Sequence, residues 1–370
     1  MGKDFKWLIP SPTTDELRFL PSRGLRRFGE GFRRCRAKHE NSALVREKAC
    51  ENMLPLLDVV RDDLDIVERE LYAVLKSNNQ LLTESSSHLF RAGGKRLRPA
   101  LALLSAKFYN YDLQKVLPLA MALELVHLAT LVHDDVVDGA ELRRGIPTVK
   151  ARWGNKVSVH TGDYLLAKAM ILVSVYRSPV IIGVLAHSCV KMCEGEIIQF
   201  AGLNQCDLRD YLRRIKYKTA LLIQAACQLG AVATGAPREL YKPLGRFGHC
   251  LGMAFQITDD ILDMVADQKR LGKPTGGDLR QGIITLPVML ALARSPEDGR
   301  LAALVNKTEK TAEDVREAIR LTREYGGVDL AFQVADQYLD KAHGYLKMLP
   351  DIPARENFAR VTDFVRVRTY

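Results

Sequence analysis

The seven cysteines (Cys35, Cys50, Cys189, Cys193, Cys206, Cys227, Cys250) form no CxxC pair and no zinc-type spacing. That removes the thiolate metal centres and dithiol redox motifs from consideration, and reduced thiols in a cytoplasmic protein are the default reading. Cys189 and Cys193, four apart on an expected helix, read as packing residues. Long apolar runs are also missing. None approaches the roughly 18 consecutive apolar residues of a membrane span, and stretches such as 179–186 are short enough for buried helix. There is no βαβ rhythm, no internal repeat and no low-complexity tract, which excludes open α/β sheets and solenoids. What is present is ordinary for a globular enzyme: 370 residues, 47% hydrophobic and 26% charged, ample for a sizeable core. Leu- and Ala-rich segments at 101–109, 117–132, 162–175, 190–199, 212–234 and 244–265 predict helix nearly throughout. Breaks are expected at Asn110, Gly145-Ile-Pro147, Ser178-Pro179, Gly235-Ala-Pro237 and Gly272-Lys-Pro274. The expected architecture is all-α, a helical bundle around a central cavity.

The first 52 residues differ from the rest. They hold 12 Lys/Arg against 7 Asp/Glu, half of the net charge of +10. Arginines at 23, 26, 27, 33, 34 and 36 alternate with Leu25, Phe28 and Phe32. No uninterrupted apolar stretch marks a secretory signal, and the acids argue against a transit peptide. Three readings stay open for 1–52: a disordered tail, a segment preceding a true start at Met53, or a basic amphipathic contact with anionic lipid at the inner face of a membrane. Residues 53–370 are expected to form the catalytic domain.

Two acid clusters carry the chemistry: Asp134, Asp135 and Asp138, then Asp259, Asp260 and Asp263. In each, acids at i, i+1 and i+4 fall within an apolar segment of helical period, so the first and third stack one turn apart. Three carboxylates on one turn repel each other and are costly to desolvate, unless cations hold them. Paired hard oxygens with room for water and phosphate suit Mg²⁺ bridging a protein to a diphosphate. One such cluster alone is most often a charged helix face. Two of them in one helical chain, both flanked by Ile, Leu and Val, point to a metal site.

Cations surround the clusters. Lys95 and Arg98 in Gly93-Gly94-Lys95-Arg96-Leu97-Arg98-Pro99 stand at a helix entrance, where free N–H groups and the positive dipole end favour an anion. Arg143 and Arg144 follow the first cluster by five and six residues. Each motif alone also reads as a solvated loop or a surface pair; the conjunction with both clusters is what matters. His127, two helical turns before Asp134, shares its side of the helix, with a core histidine as the other reading.

In order and spacing, GGKRLRP (93–99), HDDVVDGAELRRG (133–145), YKTA (217–220), FQITDDILD (255–263) and GKPTGGDL (272–279) resemble the trans-polyprenyl diphosphate synthase family. The stretches 140–167, 211–231 and 272–288 are similar to the large catalytic subunit of its bacterial heptaprenyl branch, which serves menaquinone side-chain synthesis. The resemblance implies the isoprenoid synthase fold and three Mg²⁺ ions held by the six aspartates. It also implies a reaction in which an allylic diphosphate ionises and the resulting cation is attacked by isopentenyl diphosphate. Lys95, Arg98, His127 and Arg144 match positions that hold isopentenyl diphosphate. Arg143, Lys218, Thr219, Gln256 and Lys273 match positions that contact the allylic diphosphate. A separate small subunit (a heterodimer) is implied by the branch and a homodimer by the wider family; nothing in the chain suggests nucleic acid as a partner.

Positions four and five before Asp134 are Thr130 and Ala129, both small. Family members that stop early carry an aromatic plug there, so an open tunnel and a long product are expected. Three other readings compete. A class I terpene cyclase would carry a mixed Asn/Ser/Glu second cluster and lack a site like Lys95/Arg98. A diphosphate hydrolase would need a positioned water. A non-catalytic subunit of a two-subunit synthase would have broken clusters, whereas all six aspartates are present.

Overall fold

The computed structural model describes residues 54–201, 207–265, 275–296 and 299–367. The N-terminal extension 1–52 and the break at Gly272-Lys-Pro274 lie outside them. After a 3₁₀ segment at Leu54–Val60, the chain runs α1 (Arg61–Leu75), α2 (Gln80–Arg91), α3 (Leu97–Ala106), α4 (Leu113–Val137), strands β1 (Leu142–Arg143) and β2 (Ile146–Pro147), α5 (Val149–Val173) and α6 (Pro179–Ala201). It continues through α7 (Leu208–Ile215), a π-helical turn (Lys216–Ala220), α8 (Leu221–Ala233), α9 (Arg238–Val265), α10 (Gly277–Arg280), α11 (Leu286–Leu292), α12 (Arg300–Val305), α13 (Ala312–Glu324), α14 (Gly327–Leu346) and α15 (Pro353–Val367). The all-α expectation holds, and four of the five expected breaks fall between helices. The exception to helix is the two-residue hairpin. Its turn residues Arg144 (φ 53°) and Gly145 (φ 79°) both take left-handed backbone, as tight hairpin turns of matching twist require.

Caps start the helices that carry the site. Asp112 accepts the Gln114 N–H at the head of α4, Thr148 the Ala151 N–H at α5, and Asp207 the Asp210 N–H at α7, each satisfying a donor that the first turn leaves free. Pro118 interrupts the ladder of α4. There the Tyr176 hydroxyl donates to the Lys115 carbonyl (2.6 Å) and accepts the Leu119 N–H (3.0 Å), taking the place of a helical bond in the manner of an inserted group.

The largest core joins α3, α4, α5, α8 and α9, with α4 packed along α5, α3 along α8, and α9 along α8 and α14. Smaller cores lie under α7, α11 and α14, and under α10 to α13. Among the described residues, α4 is the one helix long and apolar enough to cross a membrane by length and composition. It is mostly buried inside this fold, as expected of a core helix. Where the π turn packs, a Cβ added at Gly195 of α6 would come within 2.8 Å of Tyr217 Cβ, and one at Gly252 of α9 within 2.6 Å of Ala220 Cα. Side chains at either glycine would push the turn away from both helices.

Candidate active site

Both acid clusters sit at C-terminal helix ends: Asp134, Asp135 and Asp138 close α4, and Asp259, Asp260 and Asp263 close α9. Carboxylates there add to the negative end of the helix dipole, which makes each end a cation-seeking site. Burial, with Glu196 and Asp138 nearby, pushes the Asp134 carboxyl up to about 6 despite the opposing Lys218. Asp135 is almost fully buried and accepts Arg143 Nε at 2.6 Å, while Asp138 is exposed as the C-cap. The hairpin thus turns Arg143 back onto the cluster it follows in sequence.

The second cluster is engaged differently. Asp260 accepts the Tyr211 hydroxyl (2.8 Å) and the Gln256 amide (2.9 Å), and Gln256 Oε1 accepts the Thr219 hydroxyl (2.6 Å). Asp263 accepts the backbone N–H groups of Gly277 (3.1 Å) and Asp278 (3.3 Å), capping α10. Burial pushes the Asp260 carboxyl up to about 6, and burial with Asp260 and Asp263 nearby pushes Asp278 up to about 8. Sequence reasoning did not single out Asp278, Tyr211 or Glu196. Asp278 lay within the GKPTGGDL match without a role.

The π turn bridges the two ends. Lys218 Nζ lies 2.9 Å from Glu196 and 4.0 Å from Asp134, while the next residue, Thr219, bonds Gln256 on α9. A π turn advances side chains differently from an α-helix and is frequent at functional sites. Burial works against the charge of Lys218, but Asp134, Glu196 and Asp138 together raise its pKa.

The basic loop separates into three roles. Arg96, left-handed at φ 46°, caps α3 and turns inward to Glu124 (3.0 Å), Glu68 (3.3 Å) and the Phe90 carbonyl (3.1 Å). Lys95 is exposed, 5.4 Å over the Phe364 ring. Arg98 follows on the first turn, its buried Nε lacking a hydrogen-bond partner. Burial lowers Arg98 to about 10, with Glu124, Arg144 and Asp259 in its field. Arg144 donates to the Gly93 carbonyl, tying hairpin to loop. His127 is held well below its ordinary pKa by burial and by Arg98, Arg144, Arg143 and Arg96, so its imidazole is neutral. Arg98, His127 and Arg144 therefore form one basic lobe, within reach of Asp259 on one side and Arg143 on the other. Thr130 is half-buried on α4, and Ala129 is fully buried. Lys273 lies outside the described residues.

Among the described residues, no three His, Cys, Asp or Glu side chains converge to hold an ion alone. Each helix end instead offers a few hard oxygens, which fits divalent ions completing their shells with diphosphate and water. In metal-free protein, Asp134 with a folded value near 6 against an ordinary 3.8 binds its proton more tightly folded than unfolded. The stabilisation from that proton is complete below about pH 4 and lost as pH rises through about 6. Thermal melts in chelator should thus show a higher midpoint near pH 5 than near pH 7; a midpoint that rises or stays level from pH 5 to pH 7 would contradict the assignment.

An all-α fold with acid-bearing helix ends, a bridging lysine and a basic lobe is the arrangement of a diphosphate-handling enzyme. The chain belongs to the polyprenyl synthetase family, whose model matches residues 79–322. It is 43% identical over 313 residues to heptaprenyl diphosphate synthase component 2 of Bacillus subtilis, covering 84% of this chain and 89% of that protein. The fold is similar to a polyprenyl synthase of Caulobacter crescentus solved with calcium and isoprenyl diphosphate (TM-score 0.81, 36% identity, 85% of this chain, 97% of that one). It is also similar to heptaprenyl diphosphate synthase of Staphylococcus aureus (TM-score 0.80, 34% identity, 84% and 99%).

Proposed function

We propose that this long-chain trans-prenyltransferase extends an allylic diphosphate with isopentenyl diphosphate to heptaprenyl length, using Mg²⁺, and supplies a menaquinone side chain. The observation that carries the reading is the π turn, which sets Lys218 between Glu196 and Asp134 and ties Thr219 to Gln256, itself bonded to Asp260, beside a separate basic lobe. Two neighbouring anion sites are what a condensation of two diphosphates needs, and neither a cyclase nor a hydrolase needs the second.

Asp134, Asp135, Asp138 and Asp259 are the residues that would hold Mg²⁺, with Asp260 and Asp263 supporting the second helix end. Bound there, the ions supply Lewis-acid charge to the leaving diphosphate. Arg143, Lys218, Thr219 and Gln256 orient the allylic diphosphate, and Lys273 is assigned to the same site. Arg98, Arg144, His127 and Lys95 hold isopentenyl diphosphate so that its double bond faces the allylic carbon. Neutral His127 among four guanidinium groups is a weak proton acceptor. The departing diphosphate therefore takes the proton lost when the new double bond forms.

The partner reading rests on exposed apolar side chains. Met170 and Ile171 of α5, Val175 just beyond its end, and Ile182, Val190 and Ile197 of α6 are each 48–68% exposed, a concentration that suits a protein interface. We assign this face to a smaller second subunit, in line with the component 2 relative; a second copy of the chain is the other occupant to test. The site location is cytoplasmic in this proposal, with lipid product released toward a membrane.

Product analysis with labelled isopentenyl diphosphate and farnesyl diphosphate, with and without a candidate small subunit, tests the proposal. Heptaprenyl diphosphate only when both subunits are present supports it. Efficient long-chain synthesis by the purified chain alone would remove the partner, and hydrocarbon products would remove the transferase. Within that assay, Arg98→Ala should raise KM for isopentenyl diphosphate roughly ten- to a hundredfold, the loss of a charge-assisted hydrogen bond. Equal losses for the allylic substrate would place the lobe in the wrong site.

A further inference from the structure

Glu196 of α6 is not accounted for by metal binding or by either substrate lobe, yet it lies nearer to Lys218 than any aspartate of the first cluster does. Its Oε1 stands 2.9 Å from Lys218 Nζ, against 4.0 Å for Asp134 Oδ2, and the three side chains are 24%, 32% and 17% exposed. One ammonium is thus shared by two carboxylates in a partly desolvated space, with the shorter bond to Glu196. Chain packing fixes this arrangement. Gly195 brings α6 against Tyr217 so closely that a Cβ would sit 2.8 Å from the tyrosine Cβ, and that approach delivers the adjacent Glu196 to the adjacent Lys218. Glu194, two residues away, is exposed and pairs with Lys191 at 2.5 Å, so it does not compete.

We propose that Glu196 is a positioning residue that holds Lys218 off Asp134, leaving the Asp134 oxygens to divalent cations while keeping the ammonium aimed at the allylic diphosphate. The inference rests on the assignment of Lys218 to the allylic site. Its physical core is a competition. Lys218 and a metal ion want the same Asp134 oxygens, and two cations cannot occupy them together. With Glu196 in place, the lysine has a better partner 2.9 Å away. Without that carboxylate, the nearest anions left to Lys218 are Asp134 and Asp138, whose charges already act on it. The ammonium then becomes an internal competitor for the metal. Loss of a negative charge near the ions acts in the same direction.

The test is calorimetric titration of Mg²⁺ into the full-length protein holding the unreactive thiolo analogue of farnesyl diphosphate, paired with steady-state kinetics. Glu196→Gln should raise the Mg²⁺ concentration for half-saturation about tenfold, and Glu196→Asp, which keeps the charge, should stay within about threefold of wild type. Glu194→Gln should leave the titration unchanged. In kinetics, excess Mg²⁺ should recover most of the kcat of Glu196→Gln, with KM for isopentenyl diphosphate shifted by no more than about twofold. A merely structural role would lower all parameters together and would not respond to metal. Unchanged half-saturation in Glu196→Gln, or a rate that excess Mg²⁺ does not recover, overturns the proposal. Wild-type protein that binds no analogue with Mg²⁺ overturns the assignment of Lys218 itself, and the inference with it.

Discussion

Asp259→Ala should lower the condensation rate by about a thousandfold or more while leaving the helices folded. A metal site that neutralises a departing diphosphate is worth several kcal/mol, and about 4 kcal/mol corresponds to a thousandfold. Asp135→Ala should lose comparable rate and, in addition, stability. Asp135 is 1% exposed and bonded at 2.6 Å to Arg143, which is 24% exposed, and losing such a charge-assisted hydrogen bond typically costs about 1.5–3 kcal/mol. Far-ultraviolet circular dichroism and thermal melts separate the two effects: the Asp259 variant should melt near wild type, the Asp135 variant well below it. Condensation by Asp259→Ala at near-wild-type rates would end the metal assignment for the second cluster.

The second large effect concerns product length. Thr130 is half-buried one turn before Asp134, whereas Ala129 is fully buried within the core. Thr130→Tyr should therefore place a ring about 6 Å below the acid cluster and stop growth near farnesyl or geranylgeranyl length. Its effect on stability should be slight, because the site is not closed on all sides. Ala129→Phe should also shorten the product but at a folding cost of about 1–3 kcal/mol, because the ring must displace packed neighbours. Chromatography of dephosphorylated products reads the length. A slower enzyme making products of unchanged length in both variants would leave the open-tunnel reading without support.

How much of this could be read from the chain follows from which facts are local. Acids at i, i+1 and i+4 in an apolar helix are local, so both clusters were legible, as were the breaks at Asn110 and Gly235-Ala-Pro237. The period could not say what approaches each carboxylate. Asp134 faces Lys218, Asp260 is bonded to Tyr211 and Gln256, and Asp263 caps α10. The hairpin escaped notice because two residues per strand leave no alternation to detect; only its Arg144-Gly145 turn hints at it. Glu196 lay hidden because its meaning depends on α6 meeting a π turn, and no spacing along the chain encodes that contact. Within GGKRLRP, Lys95 and Arg98 read as the anion-binding pair and Arg96 had no role, yet nothing in the spacing separates the three cations. Only the left-handed backbone at Arg96 sends one of them inward.

That inward arginine has a consequence for a polymerising enzyme. Arg96 is held by Glu124, Glu68 and the Phe90 carbonyl, so the shape of the loop is set by core contacts rather than by the incoming five-carbon unit. Ordering a loose loop costs about 1–2 kcal/mol per residue, and an enzyme that reloads the same building block at every cycle would meet that cost each time. With the loop already fixed, successive additions should start from the same affinity for the extender, and chain length is then decided by the space available to the tail rather than by fading capture of the next unit.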